Sequence, residues 1–419
     1  MLDIKFIREN QDLIKEAVRK KHVEFDVQEL INADNKRLKL LKEVEEMRAR
    51  QNTESDKIAQ ISEEEKQSVI DKMKELKEEL IISEDALRKI EKKCENLMLL
   101  VPNIPDPSVP EGESDADNQE IRKWGEIPQF DFSPKSHIEL MENLNLVDFE
   151  RGRKVVGFRG YFLKGDAVRL SMALWNFAMD KMIQKNFEPF IAPSLVKAEN
   201  LVATGHFPKS KEDVYKTQDE LYLAGTAEIP MTGYFRDEVL REEDLPKTYV
   251  AFSPCYRREA GSHGKDTKGI YRLHEFTKVE QFILCEADHQ ESVKWHEELT
   301  RNAEEILQDL GIPYRVVVNC TGDTGQANVK TYDIESWIPS EKKYRESHSS
   351  SYYHDFQARR ANIKYRTKDG KLLFAHTLNN TAIATPRILI SILENYQQKD
   401  GSVIVPEVLR KYLNKDIIS

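Results

Sequence analysis

YRREAGSHGKDTKGIYRLHEFTKVE, running from Tyr256 to Glu280, carries the strongest structural signal in this chain. Two β-prone runs, Tyr249 to Glu259 and Tyr271 to Phe282, flank a polar segment with Gly261, Gly264 and Gly269, which predicts a long-looped antiparallel hairpin. Alternate residues of a strand share a face, so Arg257 and Glu259 should point together, as should Phe276, Lys278 and Glu280. That face then carries a guanidinium, two carboxylates and an aromatic plane. A guanidinium fork can hold phosphate bidentately and an aromatic ring can stack a base. The same residues also suit an exposed hairpin with ordinary cross-strand ion pairs.

Outward from the hairpin, the chain from about Ile121 mixes helices and strands. Asp166 to Ile183 has Leu170, Ala173, Leu174, Phe177 and Met182 on one side, the pattern of an amphipathic helix. Arg315 to Asn319, Thr331 to Trp337 and Leu372 to Leu378 read as strands. Helices and strands do not alternate regularly, and neither G-x-G-x-x-G nor G-x-x-x-x-G-K-[ST] occurs, so a doubly wound nucleotide fold or P-loop is disfavoured. The expected class is α+β, an antiparallel sheet flanked by helices.

The first hundred residues differ in kind. No glycine or proline occurs from Asn32 to Asn96. Val69, Met73, Leu76, Leu80, Ser83, Leu87, Ile90, Cys94 and Leu97 recur in steps of three and four, as in a coiled-coil seam. A weaker stripe runs through Leu30, Leu38, Leu41, Val44 and Met47, and Ser62 before Glu63 looks like a helix start. Two such helices must fold back antiparallel to bury their stripes, and arms of ~30 residues project on the order of 45 Å. From charge alone this hairpin is as well a solvated scaffold or dimerisation element. The proline-rich, acidic stretch after Val101 prevents regular structure. The division expected is an N-terminal domain over 1–104 with the hairpin at about 27–97, a linker over 105–120, and a larger domain over 121–419.

Composition sets the outer limits. A length of 419 residues suggests two or three domains at ~150 residues each. The net charge of −10, from 63 Lys+Arg against 73 Asp+Glu, argues against a generic nucleic-acid coat but not against local basic surfaces. Cys94, Cys255, Cys285 and Cys320 form no C-x-x-C pair, so no zinc site or disulfide framework is expected. Apolar runs are far below the ~18 residues of a spanning helix, and MLDIKFIREN resembles neither a secretory signal nor a transit peptide. A cytoplasmic location, without membrane contact, is the expectation.

R-x-E, the Gly-rich basic loop and R-L-H-x-F-x-K-V-E resemble motif 2 of the class II aminoacyl-tRNA synthetases, in the version of the seryl enzymes. Phe190 to Val196, with Pro193, is similar to motif 1, and Gly225-Thr226-Ala227-Glu228 resembles the T-x-E serine loop. Tyr344-Arg345-Glu346 with the Ser-rich stretch after it matches a further block, Thr377 to Gln397 resembles motif 3, and Val405 to Tyr412 is also typical. The sequence departs from the family's pattern at His348, Tyr352 and Asn380.

The resemblance implies a ligase that activates L-serine with ATP and transfers it to the 3′ end of tRNA(Ser), with tRNA(Sec) as a possible second acceptor. Carried over by motif, Arg257, Glu259 and Arg387 would be catalytic: Arg257 at the α-phosphate and serine carboxylate, Glu259 at the adenine edge, Arg387 at the γ-phosphate. Phe276 would stack on adenine, with Arg258, Val279, Ser347 and His348 also in the ATP site. Glu346 and Ser349 would hold Mg²⁺ through oxygen. Thr226, Ala227, Glu228, Arg257, Glu280, Asn379 and Thr381 would bind serine; a buried acceptor left unpaired by alanine would reject it. Arg48, Arg50 and Lys57 near the hairpin tip, and Lys265 and Lys268 in the motif 2 loop, are the implied tRNA contacts, while His263 and His274 are expected in structural or RNA-contact roles. A homodimer through the motif 1 region completes the expectation.

Overall fold

The computed structural model describes residues 1–58, 63–261, 264 and 266–419, with side chains left out over 57–58 and 63–66. Two compact units share the chain: Leu2–Arg19 with Val23–Pro102, and Met1 and Lys20–His22 with Asn103–Ser419.

In the first unit, α1 (Val27–Ile58) and α2 (Glu63–Leu100) contain 32 and 38 residues, or ~48 and ~57 Å at the ~1.5 Å helical rise. Glu29 pairs with Lys93 at 2.7 Å and Arg48 with Glu84 at 2.7 Å, so residue numbers run oppositely and the helices are antiparallel. Their seam buries Ala33, Val44, Leu80, Leu87, Ile90 and Cys94, flanked by Leu40, Leu41, Met47 and Leu97. Leu38 does not join it and is 41% exposed. Eight residues from Leu30 amount to about 80° of helical rotation, which carries Leu38 off the stripe. Ser62, expected at the helix start, lies outside the described residues.

The second unit is built on eight strands: β1 (Gln119–Trp124), β2 (Glu188–Ile191), β3 (Lys247–Tyr256), β4 (Glu275–Cys285), β5 (Tyr314–Val318), β6 (Lys330–Ile338), β7 (Lys343–Tyr352) and β8 (His376–Thr385). Their spatial order is β1-β5-β6-β7-β8-β4-β3-β2. All neighbours are antiparallel except β2, which lies parallel to β3 at one edge. The unstructured stretch expected through residue 120 therefore ends earlier, because Gln119 already pairs with Val318. A single strand over Leu372 to Leu378 is also corrected. Leu372–Phe374 pairs with Lys364–Arg366 in a separate small sheet, and the chain turns at Ala375 before β8 begins.

Helix α3 (Asp166–Gln184) buries Leu170, Ala173, Leu174, Phe177 and Met182, the expected stripe. It shares the main core with α5 (His289–Asp309) and α6 (Arg387–Asn395), on the sheet face that takes Val279 and Ile283 from β4; the short α4 (Ala198–Thr204) packs in a smaller cluster. The opposite face of β4 carries Phe276, Lys278 and Glu280, as alternation requires. β8 is buried along its whole length, which explains why it carries Thr377, Asn379 and Thr381 on one face while Leu378 and Ala382 enter the core.

Candidate functional site

β3 stops at Tyr256, so Arg257 and Glu259 are not strand neighbours on one face as the alternation predicted. Glu259 instead adopts a left-handed backbone (φ 56°), and its carboxylate accepts from Arg272 Nη1 at 2.8 Å, with Arg159 at 3.7 Å. The second run likewise enters its strand only at Glu275, leaving Tyr271 to His274 in the loop. His274 Nδ1 lies 3.0 Å from the Arg257 carbonyl, a structural bond that closes the loop's base. His263 and Lys265 lie outside the described residues; Lys268 is exposed on the loop.

One cavity brings together Arg257, Glu259, Phe276, Glu346, Ser349 and Arg387. The Arg257 guanidinium lies over the Phe276 ring at 5.2 Å, and those of Arg345 and Arg387 over Tyr271 at 3.9 and 4.8 Å. Arg387 is the first residue of α6, where Pro386 fixes the helix start, and its Nη1 pairs with Glu346 Oε1 at 2.8 Å. Burial opposes the charge of Glu346, but Arg387, Arg257 and Arg272 outweigh it and hold the carboxyl below its ordinary pKa. Asp333, across the strand pair from Ser349, is partly buried beside this carboxylate, its Oδ1 shielded from solvent and lacking a hydrogen-bond partner. Burial and the charge of Glu346 push its pKa up to about 8. A register shift between β6 and β7 next to Glu346 re-aims this part of the strand.

An adjoining cavity is lined by Thr226, Glu228, Lys278, Glu280, Asn379 and Thr381, and shares Arg257, Lys278, Ser349 and Thr381 with the first. Lys278 Nζ is 2.6 Å from Glu280 and donates to Thr226 Oγ1 at 3.0 Å. Thr381 Oγ1 donates to Glu280 at 3.3 Å, Gln357 to Glu228 at 2.6 Å, and Asn379 to the Tyr353 hydroxyl at 3.0 Å. Burial raises the pKa of both Glu228 and Glu280, against the pull of Lys278. A far wall, Gly325 to Asn328, is pinned by the buried Lys21, whose Nζ donates to the Gly325 carbonyl at 2.9 Å.

Several expected residues are absent from these walls. Val279 faces the main core and Ala227 a smaller one. Arg258 turns away, donating to the Glu212 carbonyl at 3.0 Å. Of the three departures, His348 lines the first cavity, its pKa held down at about 3 by burial. Tyr352 donates to Asp106 at 2.8 Å and Asn380 to the Leu299 carbonyl at 2.5 Å, both off the cavity walls. On the hairpin, Arg48 is paired with Glu84, Arg50 is exposed, and the Lys57 side chain lies outside the described residues. Sequence reading missed Asp333, Tyr353, Arg272 and His206; only Lys278, spaced two from Phe276 and Glu280, carried a readable signal.

Residues 1–105 match the model of the seryl-tRNA synthetase N-terminal domain, and 211–396 that of the tRNA synthetase class II core domain (G, H, P, S and T). The serine–tRNA ligase of Deinococcus radiodurans is 50% identical over 99% of this chain and 97% of its own length. That of Thermodesulfovibrio yellowstonii is 48% identical over the whole of both. Among solved structures, seryl-tRNA synthetase from Pyrococcus horikoshii complexed with ATP superposes with a TM-score of 0.92 at 41% identity, covering 100% of this chain and 99% of that one. The cytoplasmic serine–tRNA ligase of Naegleria fowleri in complex with AMP gives 0.88 at 32%, with the same coverage. With its N-terminal hairpin, its antiparallel sheet and both cavities meeting at Arg257, the chain belongs to the seryl-tRNA synthetase family of class II aminoacyl-tRNA synthetases.

Proposed function

We propose that this protein is an ATP-dependent serine–tRNA ligase, forming seryl-adenylate and passing the seryl group to the 3′ end of tRNA(Ser). The observation that carries the reading is the junction of the two cavities at Arg257. On one side Phe276 offers a face for adenine, and Arg387 and Arg257 offer charge for phosphates. On the other, Glu228 and Glu280 suit an ammonium group and a small hydroxyl. Serine carboxylate attacks the α-phosphate in line, the bond to pyrophosphate breaks, and Arg257 offsets the charge that develops between them. No protein nucleophile is needed, since positioning and charge neutralisation supply the rate.

The residues around Glu346 suit Mg²⁺. The Glu346 carboxylate, the Ser349 hydroxyl across the strand pair from Asp333, and the solvent-excluded Asp333 oxygen that lacks a hydrogen-bond partner form the oxygen-rich setting a divalent cation takes. Glu346 and Ser349 would hold it, and when bound it would neutralise phosphate oxygens.

The hairpin is assigned to tRNA, which it would grip by shape rather than by base edges, with Arg50 near its tip as a phosphate contact. A role on tRNA(Sec) follows if the hairpin reads the long variable arm common to such acceptors. A homodimer is supported by exposed apolar residues on the motif 1 segment, Ile191 (83% exposed) and Leu195. No helix among the described residues is long and apolar enough to cross a membrane, and the cytoplasm is the compartment proposed.

Serine-dependent ATP–pyrophosphate exchange, with alanine and threonine as competitors, tests the reading. Exchange with serine alone is the expected result. Folded protein that exchanges with no amino acid would reduce the chain to an RNA-binding relative.

A further inference from the structure

The loop after α4 carries a residue that no step above uses. Gly205 ends the helix with a left-handed backbone (φ +90°), and a Cβ there would approach that of Ala327 to 3.0 Å. The turn sets His206 in the wall of the serine-side cavity. His206 also lines a further cavity, bounded by Gly225, Tyr256, Glu259, Gly261 and Arg272 at the base of the motif 2 loop. Arg257 lines both as well, so the imidazole stands beside the guanidinium at which serine carboxylate and α-phosphate are joined.

Hydrogen bonding accommodates the tautomer with Nε2 unprotonated. Thr204 Oγ1 lies 2.8 Å from His206 Nδ1 and 3.1 Å from the Asn200 carbonyl. Where the hydroxyl proton goes to this carbonyl, which can only accept, Thr204 accepts from Nδ1–H. Nε2 then carries the lone pair. Burial, aided by the positive charges of Arg257 and Lys278, brings the ring's pKa down to about 4, so it is neutral near pH 7.

We propose that His206 Nε2 accepts the proton of the tRNA's terminal ribose hydroxyl during transfer, the ribose entering by the cavity at the base of the motif 2 loop. The inference rests on the serine–tRNA ligase reading. As the ribose oxygen bonds to the seryl carbonyl carbon, its proton passes to Nε2. The bond from that carbon to the adenylate phosphate oxygen breaks, and its electron pair leaves on AMP. The imidazolium, disfavoured by the neighbouring cations, then gives its proton to water.

The test resolves the two steps in the full-length enzyme. Preformed seryl-adenylate is mixed with tRNA(Ser) in a single-turnover quench, and pyrophosphate exchange is followed in parallel for wild type, His206→Ala and His206→Gln. Transfer should fall by about 10²-fold in both variants, the low end of general-base effects, and by at least about 30-fold more than exchange. Free imidazole should restore transfer in His206→Ala in proportion to its unprotonated fraction. Transfer by His206→Gln within about threefold of wild type, an equal loss in both steps, or no response to imidazole would each overturn the assignment. Wild-type protein that shows no serine-dependent exchange would instead remove the ligase reading, and the proposal with it.

Discussion

Lys278→Met probes the electrostatics of the serine-side cavity. Lys278 is nearly buried, 2.6 Å from the equally buried Glu280, with Glu228 adding a second negative charge nearby. Removing the cation leaves a carboxylate in low dielectric with no compensation, and the folded variant responds by protonating Glu280. Holding a proton on a carboxyl of ordinary pKa ~4.3 costs ~1.4 kcal/mol per pH unit, so ~4 kcal/mol at pH 7 and ~1 kcal/mol at pH 5. The unfolded chain is ionised at Glu280 at both pH values, so the folded variant binds the extra proton and gains stability as pH falls. At ~2 °C per kcal/mol for a unit of this size, the variant's Tm should drop by ~8 °C at pH 7 and by ~2 °C at pH 5. Thermal melts by circular dichroism at the two pH values check this. Adding Glu280→Gln to the variant should recover more than half of the loss at pH 7, since the stranded charge is then gone. A destabilisation under ~1 kcal/mol at pH 7, or one that does not change with pH, would refute the view of Lys278 as the counter-charge of this cavity.

Phe276→Ala should raise the KM for ATP by about 5- to 150-fold, the ~1–3 kcal/mol of a base stacked on an aromatic ring, and leave the KM for serine within about threefold; exchange kinetics read both. Leu87→Ala opens the hairpin seam and should destabilise the hairpin by ~2–5 kcal/mol, seen by hydrogen exchange, with tRNA charging lost and pyrophosphate exchange retained. Ile191→Asp places a charge on the exposed motif 1 edge and should shift sedimentation from a dimer toward a single-chain species of 48.7 kDa.

Periodicity and composition alone determined a good deal here. The seam of the hairpin, the amphipathic helix from Asp166 and the alternation of Phe276, Lys278 and Glu280 follow from spacing, because each is a property of one element's geometry. The motifs brought Arg257, Glu346, Thr381 and Arg387 onto one list, and the fold brings them to adjoining walls. What spacing could not decide is where an element stops and which way a side chain turns there. β3 ends one residue before Arg257, so Glu259 is set by a left-handed backbone and two arginines rather than by strand alternation. Arg258, adjacent to the key arginine, swings out to the Glu212 carbonyl for the same reason. Asp333 joins the site through the register of β6 against β7, Tyr353 through a hydrogen bond from Asn379 on β8, and His206 through a loop whose turn depends on the close approach of Ala327. Local propensity is blind to such contacts, because their free energy comes from groups far apart in the chain; only packing of the sheet against its loops decides them.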